Sequence, residues 1–279
     1  MDPSTDPEAL RLLADSVRTT MIDPSMASGA KLDAALADLG WLDMLDEIPD
    51  LAISLVFRLL GETGMHAAVL NDVVLRAAGY APGGTTPLPF AGGSWVTWER
   101  GGVGQGPAGP SSALDDDLPI RPVHEGDPLP QAALAAGRQA VGWWLVGTSH
   151  AMLALARQHA LDRVQFGRHI GSFQAIRHRL AETLVAIEGA EATLHAASAE
   201  PDELACLLAK AAAGQAALTT ARHCQQVLGG IGFTAEHPLH RHVKRSLILD
   251  GLLGSARELT REAGAALRAR GSAPRLAHL

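Results

Sequence analysis

Apolar residues recur three and four positions apart through most of this chain, and the pattern lapses once. Leu10, Leu13 and Val17 share a face after Asp6-Pro7, a cap followed by proline at a first helical position. Ser28 is placed to cap a second helix whose Leu32, Ala35, Leu36 and Leu39 line one side, closed by Gly40. Two further apolar helical stretches cover 51–60 and 65–78. The lapse begins near Gly79. From 82 to 128 the chain is rich in Gly and Pro, and only 90–99 and 118–123 read as strands. After Pro130 helical periodicity returns in longer runs, over 131–162, 174–197 and 201–228, the last opened by Pro201, Asp202 and Glu203 and ended by Gly229-Gly230. Shorter helices are expected at 240–249 and 255–270. The pattern predicts a mostly α chain in three parts: a helical domain over 1–80, a small β segment over 81–128, and a four-helix bundle with an appended turn over 129–279.

Composition narrows this. With 279 residues, 47% of them hydrophobic and only 4% aromatic, the chain can build a substantial core of closely packed, alanine-rich helices. A formal charge of −7 argues against wrapping nucleic acid. Cys206 and Cys224 stand about five helical turns apart, too far to bridge, so reduced thiols are expected. Met1 leads into Asp2, Asp6 and Glu8 with no basic or apolar leader pattern, which points to the cytoplasm. The stretch 139–156 is apolar enough to resemble a membrane span. Gln139, Thr148, Ser149 and His150 within it, and Arg138 and Arg157 beside it, favour a buried helix and no membrane role.

Three clusters in the last part could carry chemistry. In 162–174, Arg163, Phe166, Gly167, Arg168 and Gln174 combine guanidinium groups with a new helix N-terminus, which suits a diphosphate and equally suits a plain helix connection. In 225–234, Gln226, Gly229, Gly230 and Gly232 permit close approach to a ligand or a simple helix cap. In 236–245, His237, His240 and His242 invite a metal reading. No cysteine or carboxylate is arranged to complete a coordination sphere, so a basic, partner-facing helix is expected and no metal site.

Taken in this order and spacing, the clusters resemble the C-terminal domain of the acyl-CoA dehydrogenase family. Arg163, Phe166, Gly167, Ile170, Phe173 and Gln174 match its first motif; Gln226, Gly229, Gly230, Gly232, Phe233, Thr234, Glu236, His237 and Pro238 match its second. Leu39-Gly40-Trp41-Leu42 is similar to the family's N-terminal helical domain. The resemblance implies FAD as cofactor, with Arg163, Phe166, Gln174, Gln226, Gly229 and Gly230 as contacts, and an oligomer in which subunits share flavin. It also implies α,β-dehydrogenation of an acyl-CoA by a glutamate base. That glutamate ordinarily precedes a Gly-Thr or Gly-Ser pair, where this chain has Leu253 before Gly254-Ser255. The alternative base position of some members falls at about Gly137. Neither residue can accept a proton, and the β segment is under half the family's usual size. Three lysines against twenty arginines suit a high-GC bacterial origin. Some actinobacterial members, many serving sterol degradation, pair a catalytic subunit with a degenerate one in an α2β2 assembly. The expectation is the degenerate, beta-like subunit of such a heterotetramer, acting on acyl-CoA with a homologous catalytic partner. The alternatives are a homo-oligomeric enzyme using another base such as Asp250, and a flavin-free structural homologue.

Overall fold

The computed structural model describes residues 7–23, 28–100, 117–199 and 202–272. Five helices come first: α1 (Pro7–Ile22), α2 (Ala30–Asp38), α3 (Trp41–Glu47), α4 (Pro49–Thr63) and α5 (Val69–Ala77). Three short strands follow, β1 (Pro87–Phe90), β2 (Ser94–Trp98) and β3 (Ile120–Val123), forming one antiparallel meander with Leu88 opposite Val96 and Val96 opposite Pro122. The remainder is α6 (Gln131–Asp162), a two-stranded hairpin of β4 (Val164–Gln165) and β5 (Arg168–His169), α7 (Gln174–Ala199), α8 (Glu203–Leu228), α9 (Leu239–Gly251) and α10 (Ala256–Arg270). Helices α6, α7, α8 and α10 make the C-terminal bundle, and α9 crosses it. This is the mostly α architecture expected. Asp6, Pro201 and the stretch 101–116 lie outside the described residues.

The N-terminal helices join the bundle through α4 and α6, whose backbones nearly touch. A Cβ at Gly61 would lie 2.4 Å from Trp144 O and Thr148 N, and one at Gly147 would lie 2.0 Å from Arg58 O. Glycine is therefore the only residue type that fits at either crossing point. Beside this crossing, Trp41, Phe57, Trp144 and Trp98 form a chain of ring contacts with centroids 6.3, 5.6 and 5.1 Å apart. Trp98 brings β2 into the same core as the helices, and that one apolar cluster runs from Val17 in α1 to Leu253 before α10.

Two buried polar residues on α5 hold the β segment in place. Asn71 Nδ2 donates to Trp98 O at 2.9 Å. Asp72 accepts from Trp41 Nε1 at 3.1 Å, from Gly83 N at 2.8 Å and from Arg100 Nη2 at 2.6 Å. Burying a carboxylate is costly unless it is paired and hydrogen-bonded, and here three donors meet it.

Two local expectations are corrected. Ser28 does not cap α2; Gly29 stands at the N-cap with φ 81, and Ser28 Oγ donates instead to Met65 Sδ at 3.2 Å. The turn between α4 and α5 thus claims the hydroxyl. The basic residues of α9 do not all face outward: His242, Arg245 and Ser246 are buried, with Arg245 Nη1 donating to Met65 O at 3.2 Å, while His240, Arg241 and Lys244 stay half-buried. The α4–α5 turn lies over this face, close enough that a Cβ on Gly64 would meet the His242 ring at 3.2 Å. The helix long and apolar enough to cross a bilayer is α8 rather than α6; over the qualifying stretch, Glu203–Phe233, 67% of the most apolar window is buried inside the protein.

Candidate functional site

The residues singled out in the sequence fall at opposite ends of α6. Arg163 follows the last turn, its N–H donating to His159 O at 2.9 Å. The β4–β5 hairpin then turns through Phe166 (φ 54) and Gly167 (φ 74). Two adjacent residues with positive φ are what a two-residue hairpin of this twist demands; Gly167 adopts it freely and Phe166 does so under strain. The Phe166 ring is 90% exposed, edge-on to Phe173, and the Arg168 guanidinium lies 4.1 Å above the Phe173 ring. Ile170 N donates to Arg163 O at 2.8 Å, closing the hairpin onto the helix end. Gln174 opens α7 with its side chain exposed.

The glycine cluster closes α8. Gly229 is its C-cap with φ 66, followed by a 3-10 turn over Gly229–Phe233. Gly232 is required by packing, because a Cβ there would lie 2.8 Å from Gln225 O. A Cβ on Gly229 or Gly230 would meet nothing within 4 Å. Gln226 and Phe233 are exposed beside them. A second apolar cluster, including Ala156 and Ala160 of α6, Cys224 and Leu228 of α8 and Leu239 of α9, underlies both loops, with Ile170 and Ile176 packed against it. His159 reports their proximity: burial pushes its pKa below the ordinary histidine value, and the charges of His237 and Arg163 add to the shift. All six sequence-predicted cofactor residues therefore stand at one end of the bundle, on an open surface of guanidinium, glycine and aromatic groups. The Arg168 stack on Phe173 was not anticipated; its signal was the Arg-x-x-x-x-Phe spacing across the turn.

At the other end, Leu253 and Gly137 touch. A Cβ on Gly137 would lie 2.6 Å from Leu253 Cδ1 and 3.0 Å from Val74 Cγ2. Leu253 is 1% exposed and has φ 57. Its N–H donates to Pro89 O at 2.8 Å, and its carbonyl accepts from Arg138 Nε at 3.2 Å. The Phe90 ring fills the space over Gly251 and pairs its backbone with Leu252. The two positions at which the resemblance would place a base thus lie in contact, packed by protein. Asp250 is occupied as well: its Oδ1 accepts from Ala256 N at 3.0 Å at the start of α10 and lies 4.0 Å from Lys210 Nζ. Lys210 is completely buried, donates to the carbonyls of Asp250 and Gly254, and was missed by sequence reasoning. Burial pulls its pKa down to about 7 against the opposing charge of Asp250.

The 26 positions from Gly137 to Arg163 correspond to about 39 Å along α6. No single flavin ring could touch both ends. Among the described residues, the histidines of the third cluster form no metal-spaced group. The group that is so spaced is His150, Glu188 and Glu191, where Glu191 is already paired with the Arg58 guanidinium.

The family model for the acyl-CoA dehydrogenase C-terminal domain matches residues 124–267. Acyl-CoA dehydrogenase FadE34 of Mycobacterium tuberculosis is 31% identical over 272 residues, covering 90% of this chain and 36% of its own length. Acyl-CoA dehydrogenase IpdE2 of the same organism is 40% identical over 116 residues, 42% of this chain and 36% of its own. The chain thus spans little more than a third of the curated relatives it matches. Among solved structures, a steroid acyl-CoA dehydrogenase, the Tcur3481-Tcur3483 G363A variant, shares the fold with a TM-score of 0.72 at 20% identity, over 95% of this chain and 98% of that one. The ChsE4-ChsE5 complex of Mycobacterium tuberculosis does so at 0.69 and 21%, over 99% and 100%. By its C-terminal bundle and by its similarity to FadE34 along nearly its whole length, the chain belongs to the acyl-CoA dehydrogenase family.

Proposed function

We propose that this chain is the non-catalytic, flavin-contacting subunit of a cytoplasmic heteromeric acyl-CoA dehydrogenase, paired with a homologous subunit that supplies the glutamate base and holds the acyl-CoA. The carrying observation is the contrast along α6: Leu253 and Gly137 fill the place of a base with apolar contact, while the far end offers Arg163, Gln174, Gln226, Gly229 and Gly230 unobstructed. A steroid-derived acyl-CoA is the substrate class this reading favours, after the steroid acyl-CoA dehydrogenase among the proteins that share the fold.

The residues at the open end fit FAD as a bordering surface, since Gly229 and Gly230 leave room for backbone approach and the exposed Arg163 can reach phosphate oxygens. FAD, when bound, supplies the acceptor for the hydride leaving the substrate. Arg163 would neutralise diphosphate charge, Phe166 would offer apolar contact, and Gln174 and Gln226 would offer amide donors. A homo-oligomer using Asp250 as base is disfavoured because that carboxylate caps α10 beside Lys210.

Co-expression with a family member carrying the glutamate tests this reading. The expected product is a yellow complex in which Arg163→Ala weakens FAD roughly tenfold to a hundredfold, the equivalent of a charge-assisted contact of about 1.5–3 kcal/mol. Lysine at 163 restores only part of it, lacking the planar fork. Turnover of acyl-CoA at ordinary rates by this chain alone, or flavin affinity indifferent to Arg163, refutes the proposal.

A further inference from the structure

Midway along α6 between Gly137 and Arg163, about 20 Å from either, His150 meets two carboxylates of α7. Its Nε2 lies 3.3 Å from Glu191 Oε2. Glu188 stands three residues before Glu191 and is its neighbour on the helix surface. One ligand atom from each of the three residues lies within 4.8 Å of the other two.

A hydrogen bond between His150 and Glu191 accounts for the shortest of these distances, but not for the rest of the arrangement. Tetrahedral zinc, with nitrogen and oxygen ligands at roughly 2.0–2.2 Å, holds two such atoms about 3.3 Å apart, so this pair already has the separation the metal requires. The other oxygen of Glu191 is engaged elsewhere. Arg58 Nη1 pairs with Oε1, and His195 Nε2 stands 4.0 Å from the same atom. Arg58 is itself fixed by Glu62, its Nε 3.0 Å from Glu62 Oε1, and the His195 ring is edge-on to Trp143. Glu191 is therefore held with Oε2 toward His150, as outer-shell partners orient a ligating carboxylate. His150 and Glu191 are half-buried, whereas Glu188 is exposed, and its long side chain can close the remaining distance. In this network Arg18 and Arg58 meet Glu62, Glu188 and Glu191, which leaves negative charge for a cation.

We propose that His150, Glu188 and Glu191 bind Zn2+ and that the ion clips α6 to α7 at mid-length, with water completing its coordination. One imidazole and two carboxylates suit zinc, whereas magnesium and calcium favour shells of oxygen alone. Neither flavin nor acyl-CoA enters this site.

The full chain, stripped with EDTA and moved into metal-free buffer, is titrated with Zn2+ against a chromophoric zinc chelator. Urea unfolding is followed in parallel with Zn2+, Mg2+ or Ca2+ in excess. Zinc is expected to bind and to raise the urea midpoint, because an ion held only by the folded state stabilises it. Magnesium and calcium should leave the midpoint where it was. Glu188→Gln, a change at an exposed position, should weaken zinc at least about tenfold and His150→Ala at least as much. Should His150→Ala fail to fold, Glu188→Gln still decides the matter. The chain has 12 histidines that could bind zinc adventitiously. His178→Ala, which removes an exposed imidazole of the same helix, is the control and should leave affinity unchanged. Zinc affinity indifferent to Glu188, equal losses in Glu188→Gln and His178→Ala, or a midpoint raised as much by magnesium as by zinc overturns the proposal.

Discussion

The two ends of α6 carry the same family's motifs and have been shaped in opposite ways. At the Gly137 end, strands, loop and helix interlock: Leu253 sits on Gly137, Phe90 on Gly251, and Pro89 and Arg138 take the Leu253 backbone groups. At the Arg163 end, side chains stand in solvent, and Phe166 is held exposed in a backbone conformation that costs about 1–2 kcal/mol for a non-glycine residue. The hairpin turn imposes that conformation, and it leaves the ring outward, edge-on only to Phe173 among the aromatic contacts of the described residues. Apolar packing thus fills the Gly137 end, while the side chains at the Arg163 end stay open.

The sharpest way to break this contrast is to restore the carboxylate. Leu253→Glu places an ionisable group in a packed apolar contact with Gly137 and Val74, at a position only 1% exposed. The expected loss is on the order of 3–5 kcal/mol, seen as a lower midpoint in urea with no gain of acyl-CoA oxidation. If the variant kept wild-type stability and turned over substrate, the closed end would in truth be an active site lacking one atom group.

A pH scan probes α9, which runs from the apolar cluster beneath the open end, at Leu239, to Gly251 at the closed end. Burial, with Arg241 and Arg245 beside it, pushes His242 down to about 4. The folded state therefore resists protonation while the unfolded chain protonates near 6.5. Stability is fully present above pH 6.5 and falls as pH drops toward 4, by about 3 kcal/mol at 1.36 kcal/mol per unit. Lys210 acts on the alkaline side with the same slope: with its folded value near 7 against 10.5 unfolded, stability rises from about pH 7 toward 10.5. Denaturant midpoints for wild type and His242→Leu, followed from pH 7.5 to 4.5, check the acid limb. A parallel decline in both proteins would remove His242 as its cause.

Much of the bundle was legible in the sequence because its signals are local. Pro130 and Gly229 mark the start of α6 and the end of α8, and helical spacing alone recovers 131–162. Where those signals failed, the deciding partner was distant. Arg245 and His242 read as part of a basic, partner-facing helix until the Gly64–Met65 turn, some 180 positions earlier, is laid over them. Lys210, in an otherwise alanine-rich run, gives no hint that the carbonyls of Asp250 in the last turn of α9 and of Gly254 before α10 await its ammonium. Asn71 and Asp72 look like helix-surface residues, yet they are what holds the meander. The candidate cofactor residues were recognisable by motif, but their position on an open end far from Gly137 and Leu253 follows only from the length of α6.

The contact at the closed end can be sharpened by a double-mutant cycle. Gly137→Ala forces a methyl group to 2.6 Å from Leu253 Cδ1, and overpacking of this kind costs about 1–3 kcal/mol. Leu253→Ala removes the obstructing branch and loses its own packing. If the two side chains really meet, the double variant should be more stable than the sum of the single losses by at least about 0.5 kcal/mol. Strict additivity in urea unfolding would separate the two positions and reopen the question of where a base would stand.

The smallest effects belong to the open end, where three neighbouring glycines give a graded series. At Gly230 an added methyl meets nothing and φ is not positive, so Gly230→Ala should change unfolding free energy by under about 0.5 kcal/mol. Gly229→Ala adds left-handed strain at φ 66 and should cost about 1–2 kcal/mol. Gly232→Ala drives its methyl to 2.8 Å from Gln225 O and should cost more than either, because backbone must move. Flavin affinity in the assembled complex should not follow that order. Gly230, with no structural demand on it, is the position where loss of affinity without loss of stability isolates contact with the cofactor. If Gly230→Ala left both untouched while Gly232→Ala damaged both in proportion, the open end would be only the cap of a helix.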